Sequence, residues 1–186
     1  MIKQFKKYAP LFLNKKTIVA ILAVLFLVVS VVAFRHAFFI AVLLVLTVFS
    51  KLPEIIWRTI NVDLTMFNLI VLGSVYGWPF GIFIALTGFY IALVIKTGIA
   101  KHVAPEKFFV PPFGYIVASL IVLPMGLNIF SAGMVAVVIY ASIMTVAYGL
   151  IYGFQIFDMA IYLVTISAFN YFVFSNFAPL ALAVLS

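Results

Sequence analysis

Apolar residues run almost without interruption through the chain, so its elements are read from where the runs stop. Runs of about 20 apolar residues are membrane-span length, and shorter ones are tolerated by thinning or snorkelling. The breaks predict a first span at 17–34, a turn at Arg35-His36, and a short second span at 37–50. A third at 62–76 is broken by Gly77-Trp78-Pro79, and a fourth follows at 80–98. The fifth, 113–127, bends or ends near Pro124-Met125-Gly126; the sixth is 129–151 and the seventh 157–175. The tail, 176–186, is apolar but too short to cross. Mixed segments lie between. Residues 1–16 form a basic juxtamembrane stretch whose Ile2, Phe5, Tyr8 and Phe12 recur at helical spacing, as in a helix lying on the membrane surface. Residues 51–61 read as an interfacial helix, with Glu54 and Arg58 paired i,i+4 and Trp57 as anchor. Residues 101–112 read as a cytoplasmic loop.

The expected fold is therefore all-α: a polytopic transmembrane bundle of six or seven spans in one integral membrane domain, residues 1–186. Composition agrees. Of 186 residues, 68% are apolar and 8% charged, against about 45–50% and about 25% in soluble domains. A soluble domain could not clothe itself with so few charges, and the lipid bilayer becomes the first partner. The +7 net charge then reports topology, not a nucleic-acid partner. With the N-terminus cytoplasmic, ten of the 11 basic residues fall inside and Arg35 alone outside. The basic start and the apolar run ending Val31-Val32-Ala33 also have the outline of a cleaved leader, but the run is long for one and a retained helix is expected.

Small and polar residues carry what chemistry there is. Gly81, Ala85, Gly88 and Ala92 form one narrow stripe, extended through Gly77 and Gly73 across the turn. Such stripes let backbones approach, within the chain or against a partner subunit. Polar residues inside a membrane are costly and mark function or interhelical bonding. Asp63 and Asn68 lie on the third span; Tyr148, Tyr152 and Gln155 share a face of the sixth; Asp158 and Tyr162 align on the seventh. Most of them fall toward the inner end, where they could line one polar cavity, with Asp158 the acid that has fewest local partners. His36 and His102 lie on opposite sides and there is no Cys, so no haem, zinc or thiolate site is expected, and no cofactor. No catalytic constellation stands out, which argues against an enzyme.

The stretch from Phe67 through Gly77-Trp78-Pro79 to Tyr90, two short spans around a Gly-aromatic-Pro turn with small residues on both sides, resembles the central hairpin of S-components of energy-coupling-factor transporters. Its outline is also similar to that of the rod-shape membrane protein family MreD. The resemblance implies a prokaryotic cell-membrane protein that binds a small molecule and depends on other membrane subunits for energy. S-components bind substrate toward the outer side, whereas the polar residues here cluster inward; an outer-side cavity around Tyr76, Trp78, Asn128 and Asn170 would support the transport reading. The first span departs from the family's Ala-x-x-x-Ala docking face, since Ala20 and Ala23 are three apart. The expected function is a small-solute-binding transport subunit; the alternative is a non-catalytic accessory subunit of a larger membrane complex.

Overall fold

A computed structural model describes residues 34–55, 62–100, 104–153 and 155–185, with the single positions 19, 21, 23 and 24. The chain divides into two compact units, Met1–Phe39 and Ile40–Ser186. In the first, Val19, Ile21, Ala23 and Val24 are helical and exposed. The expectations for residues 1–16 and for most of the 17–34 span lie outside the described residues, as do Ala20, Trp57 and Arg58.

Six α-helices are described: α1 (Arg35–Ser50), α2 (Thr65–Tyr76), α3 (Trp78–Ala100), α4 (Val110–Val122), α5 (Ile129–Tyr152) and α6 (Ile156–Leu185). Short 3-10 turns, Leu52–Ile55, Pro105–Phe108 and Leu123–Met125, follow α1, precede α4 and follow α4. No strand occurs among the described residues. Among the described residues five segments are long and apolar enough to cross a membrane: Arg35–Glu54, Trp78–Ile99, Pro105–Met125, Ile129–Tyr152 and Ile156–Leu185. The 12-residue α2 is too short to cross alone.

That short helix is the centre of the second unit. Thr65 through Gly73 are all buried, and α2 touches α3, α4, α5 and α6. A helix buried all round carries no amphipathic stripe, which is why periodicity says nothing about its neighbours. Gly77, at φ 91°, adopts a backbone that other residues rarely take and lets α2 turn directly into α3. The two helices then touch backbone to backbone: a Cβ on Gly81 would lie 2.6 Å from the Gly73 nitrogen and 2.7 Å from the Leu69 carbonyl oxygen. Further along the stripe Ala85 and Ala92 are buried, and Gly88 faces Thr47 of α1 and its Leu44 carbonyl. The stripe is thus used for packing within the chain. Other small residues admit rings: Gly133 lies against Phe174 and Gly114 against Tyr140.

The outer faces stay apolar. Leu150, Phe157 and Phe109 are each more than 70% exposed, and only 17–39% of each candidate span is buried inside the chain. Water would not tolerate such a surface; lipid or neighbouring subunits would.

Several boundaries differ from those the sequence predicts. Arg35 and His36 begin α1 instead of turning. Pro79 sits in the first turn of α3, where its missing N–H costs nothing, so only Gly77 breaks the helix. Residues 110–112 are the first turn of α4, not loop, with Pro111 and Pro112 buried. The expected interfacial helix at 51–61 is, where described, a 3-10 turn that folds inward, with Lys51 buried. The apolar tail is no separate segment: α6 continues through Pro179 to Leu185.

Candidate functional site

The ends of α1, α3 and α5 and the starts of α2, α4 and α6 meet at one end of this unit, and polar side chains converge there. Lys51, just past α1, is 7% exposed. Its Nζ lies 2.6 Å from Asp63 Oδ2 and 3.3 Å from Glu54 Oε1, and it donates to the Tyr115 hydroxyl at 3.3 Å. The Phe89 and Tyr115 rings flank it, their centroids 5.3 and 5.9 Å from Nζ.

Asp63 is held from every side. The Thr65 amide and hydroxyl donate to its Oδ1 at 2.8 and 2.5 Å, and the Tyr115 hydroxyl donates to its Oδ2. Tyr140 extends the chain of bonds by donating to the Tyr115 oxygen at 3.1 Å. The two rings stack with centroids 4.3 Å apart. Glu54 takes a second cation, Lys96 of α3, at 2.7 Å. Two carboxylates and two lysines thus tie the turn after α1 to the starts of α2 and α4 and the end of α3. Buried charges survive when paired and hydrogen-bonded in this way.

Above this ionic floor opens a cavity of about 460 Å³. Lys51, Glu54, Lys96 and Lys107 supply its charged side. Phe89, Ala92, Leu93 and Pro111 of α3 and α4 supply an apolar wall. Met144, Thr145, Tyr148 and Tyr152 of α5 face them. Gln155, Asp158, Met159 and Tyr162, entering α6, close the remaining side. Gly153, at φ 82°, makes the tight turn that puts these last two groups on one wall. Tyr148 and Tyr152 stack at 6.0 Å, and the Tyr152 hydroxyl donates to Glu106. The Thr145 hydroxyl is buried with no hydrogen-bond partner among the described residues.

Five of the seven polar residues singled out in the sequence, Tyr148, Tyr152, Gln155, Asp158 and Tyr162, therefore line one cavity. The other two do not. Asp63 lies beneath it, bonded to Lys51, Thr65 and Tyr115. Asn68 is an interhelical link, its amide donating to the Leu43 carbonyl at 2.8 Å and to the Thr47 hydroxyl of α1. Asp158 is exposed at the start of α6, where the helix N-terminus favours an acid. Of the residues expected around an outer cavity, Asn128 caps α5 by accepting from the Ser131 amide at 2.9 Å. Asn170 donates to the Ile166 carbonyl of its own helix, and Tyr76 packs on Phe80.

Sequence reasoning missed Lys51, Glu54, Lys96, Lys107, Tyr115 and Tyr140. The lysines read as topological charge, and Glu54 was assigned to Arg58. One signal was present: Lys96 interrupts the apolar run of α3, and an intramembrane cation needs a partner. Among the described residues no group of three or more His, Asp or Glu side chains could hold a metal ion. Compared with protein-family models, curated proteins and solved structures, the chain matches none.

Proposed function

We propose that this chain is a small-solute-binding subunit of a membrane transporter energised by partner proteins, with the cavity facing the cytoplasm. One observation carries the reading: the cavity of about 460 Å³ framed by four helices and floored by paired charges. Small-molecule sites typically measure about 300–1,000 Å³ and combine apolar walls with a few convergent polar groups. The orientation rests on Lys51, Lys96 and Lys107, which gather at the cavity end as retained cytoplasmic charges do. The S-component resemblance points the same way for function but to the opposite face for the site.

A panel of small metabolites tests the reading on purified protein in mild detergent. Saturating solute raises the melting temperature, and Met159→Trp, which fills the cavity, removes the rise. A panel in which no member shifts the wild-type melting curve overturns it.

A second reading, accessory subunit of a larger complex, draws on α6. Its 30 residues extend about 45 Å, so burying it in about 30 Å of hydrocarbon needs a tilt of about 48°, beyond the usual 0–40°. Phe172, Phe177 and Leu180 near its end are exposed. A neighbouring membrane subunit would cover them. Copurification at fixed stoichiometry without solute binding would favour this reading over the first.

A further inference from the structure

We propose that the solute taken by this cavity is a small organic anion, a carboxylate or phosphate joined to an apolar body of about aromatic size. The inference rests on the solute-binding reading above and names its substrate class.

The charge count at the floor is uneven. Among the described residues Lys51, Lys96 and Lys107 have two ion-paired carboxylates, Glu54 and Asp63, while Glu106 accepts from the Tyr152 hydroxyl and forms no ion pair. Asp63 is 2% exposed and turned away from the cavity, its oxygens taken by Lys51, Thr65 and Tyr115. Glu54 is divided between Lys51 and Lys96. Lys107 has no carboxylate within ion-pair distance among the described residues, and its side chain approaches that of Lys96. One ammonium charge is left unpaired beside a second, against walls of Phe89, Leu93 and Pro111. A charge in such surroundings is costly until an opposite charge reaches it. Asp158 does not fill this role, because it forms no ion pair among the described residues and stands exposed at the start of α6, where the helix N-terminus already stabilises it. Opposite the lysines, Met144, Tyr148, Met159 and Tyr162 offer flat or polarisable apolar contact. The Thr145 hydroxyl, buried and without a partner among the described residues, adds a donor on the same lining.

The experiment uses the full chain in nanodiscs and a matched set of probes: 3-phenylpropionate and phenyl phosphate, the neutral 3-phenylpropanol, and the cation 3-phenylpropylamine. Thermal shift and calorimetry are read in phosphatidylcholine alone and with phosphatidylglycerol added. In phosphatidylcholine the two acids bind on the order of tenfold or more tighter than the alcohol, the scale of a hydrogen bond to a charged group. Lys107→Gln removes that preference but still binds the alcohol, which reports an intact fold; Lys107→Arg keeps it. If phosphatidylglycerol raises the melting temperature and competes with the acids in a Lys107-dependent way, the anion is a lipid headgroup; if it does neither, the anion is a soluble acid. Both outcomes uphold the anion. Equal binding of acid, alcohol and amine, or an acid preference that survives Lys107→Gln, overturns it and leaves the solute reading standing. No shift with any probe or with the metabolite panel overturns both.

Discussion

Replacing Lys51 by Met removes the ammonium from the ionic floor and keeps a chain of similar length between Phe89 and Tyr115. Breaking a buried pair by deleting one partner costs about 3–5 kcal/mol, because the remaining charge stays buried. Both partners are shielded here, with side-chain exposures of 9% for Lys51 and 3% for Asp63, so solvent screening offers little relief. Asp63 still keeps the Thr65 and Tyr115 donors, and Glu54 keeps Lys96. The low end is therefore expected, about 3 kcal/mol, or about 6–12 °C in melting temperature for a chain of this size. Asp63→Asn leaves Lys51 with Glu54 alone and is also destabilising. The double variant removes both charges and leaves neither stranded, so it should be more stable than the two losses added together, by about 1–3 kcal/mol. Thermal unfolding of the four proteins in one nanodisc preparation reads the cycle. Additivity within about 0.5 kcal/mol, or a Lys51→Met protein as stable as the wild type, would refute the ion pair as the centre of this end of the bundle.

The helix hairpin gives a paired test. Gly81→Ala puts a Cβ 2.6 Å from backbone that cannot rotate away and should cost about 1–3 kcal/mol, whereas Gly98→Ala meets nothing within 4 Å and should gain up to about 1 kcal/mol of helix propensity; reversed signs in thermal unfolding would contradict the α2–α3 contact. Thr145→Val removes a buried hydroxyl that has no partner among the described residues, so the empty protein should become more stable by about 1 kcal/mol while losing affinity for any solute that uses it; an empty protein destabilised by the change, measured by melting, means that the hydroxyl does bond. The chain lacks cysteine, so single cysteines at Gln155 and Trp78 can be probed with an impermeant maleimide on whole cells and on inverted vesicles. The proposed orientation, with the cavity toward the cytoplasm, requires labelling of the first from inside and of the second from outside, and the opposite pattern reverses it.

How much of this was legible follows from what apolar sequence can encode. Run lengths placed the described helices to within a few residues, except for the end of α6, which lies ten residues beyond the predicted 175, because span length is a property of one continuous segment. The hairpin was legible from Gly77, and the wall formed by Tyr148, Tyr152, Gln155, Asp158 and Tyr162 from helical spacing across one short turn. Those residues are neighbours in sequence, so local geometry is enough to bring them together. The ionic floor was not legible: Glu54 bonds 42 residues away to Lys96, and Tyr115 reaches 52 residues back to Asp63. When nearly every face is apolar, periodicity no longer says which face looks inward, and long-range polar partners cannot be matched. The same loss hid the centrality of α2, whose burial on all sides leaves no stripe to read. It also hid the role of Asn68, which faces α1 and not the cavity.

The two sets of charges at the cavity end do different things, and their partners separate them. Lys51 and Asp63 are both buried and saturated with hydrogen bonds, so neither has capacity left for a ligand. They fix where α2 begins and hold Tyr115, which stacks on Tyr140 of the cavity lining. Well-packed apolar side chains could replace such a pair at little cost or even with a gain in stability, so stability alone does not call for lysines here. Lys96 is buried and paired with Glu54, Lys107 has no carboxylate within ion-pair distance among the described residues, and both line an open volume with an apolar wall. A chain needing only to pack would gain nothing from two ammonium groups placed side by side there, since each is desolvated and each repels the other. Their position gains a physical purpose when an anion enters between them.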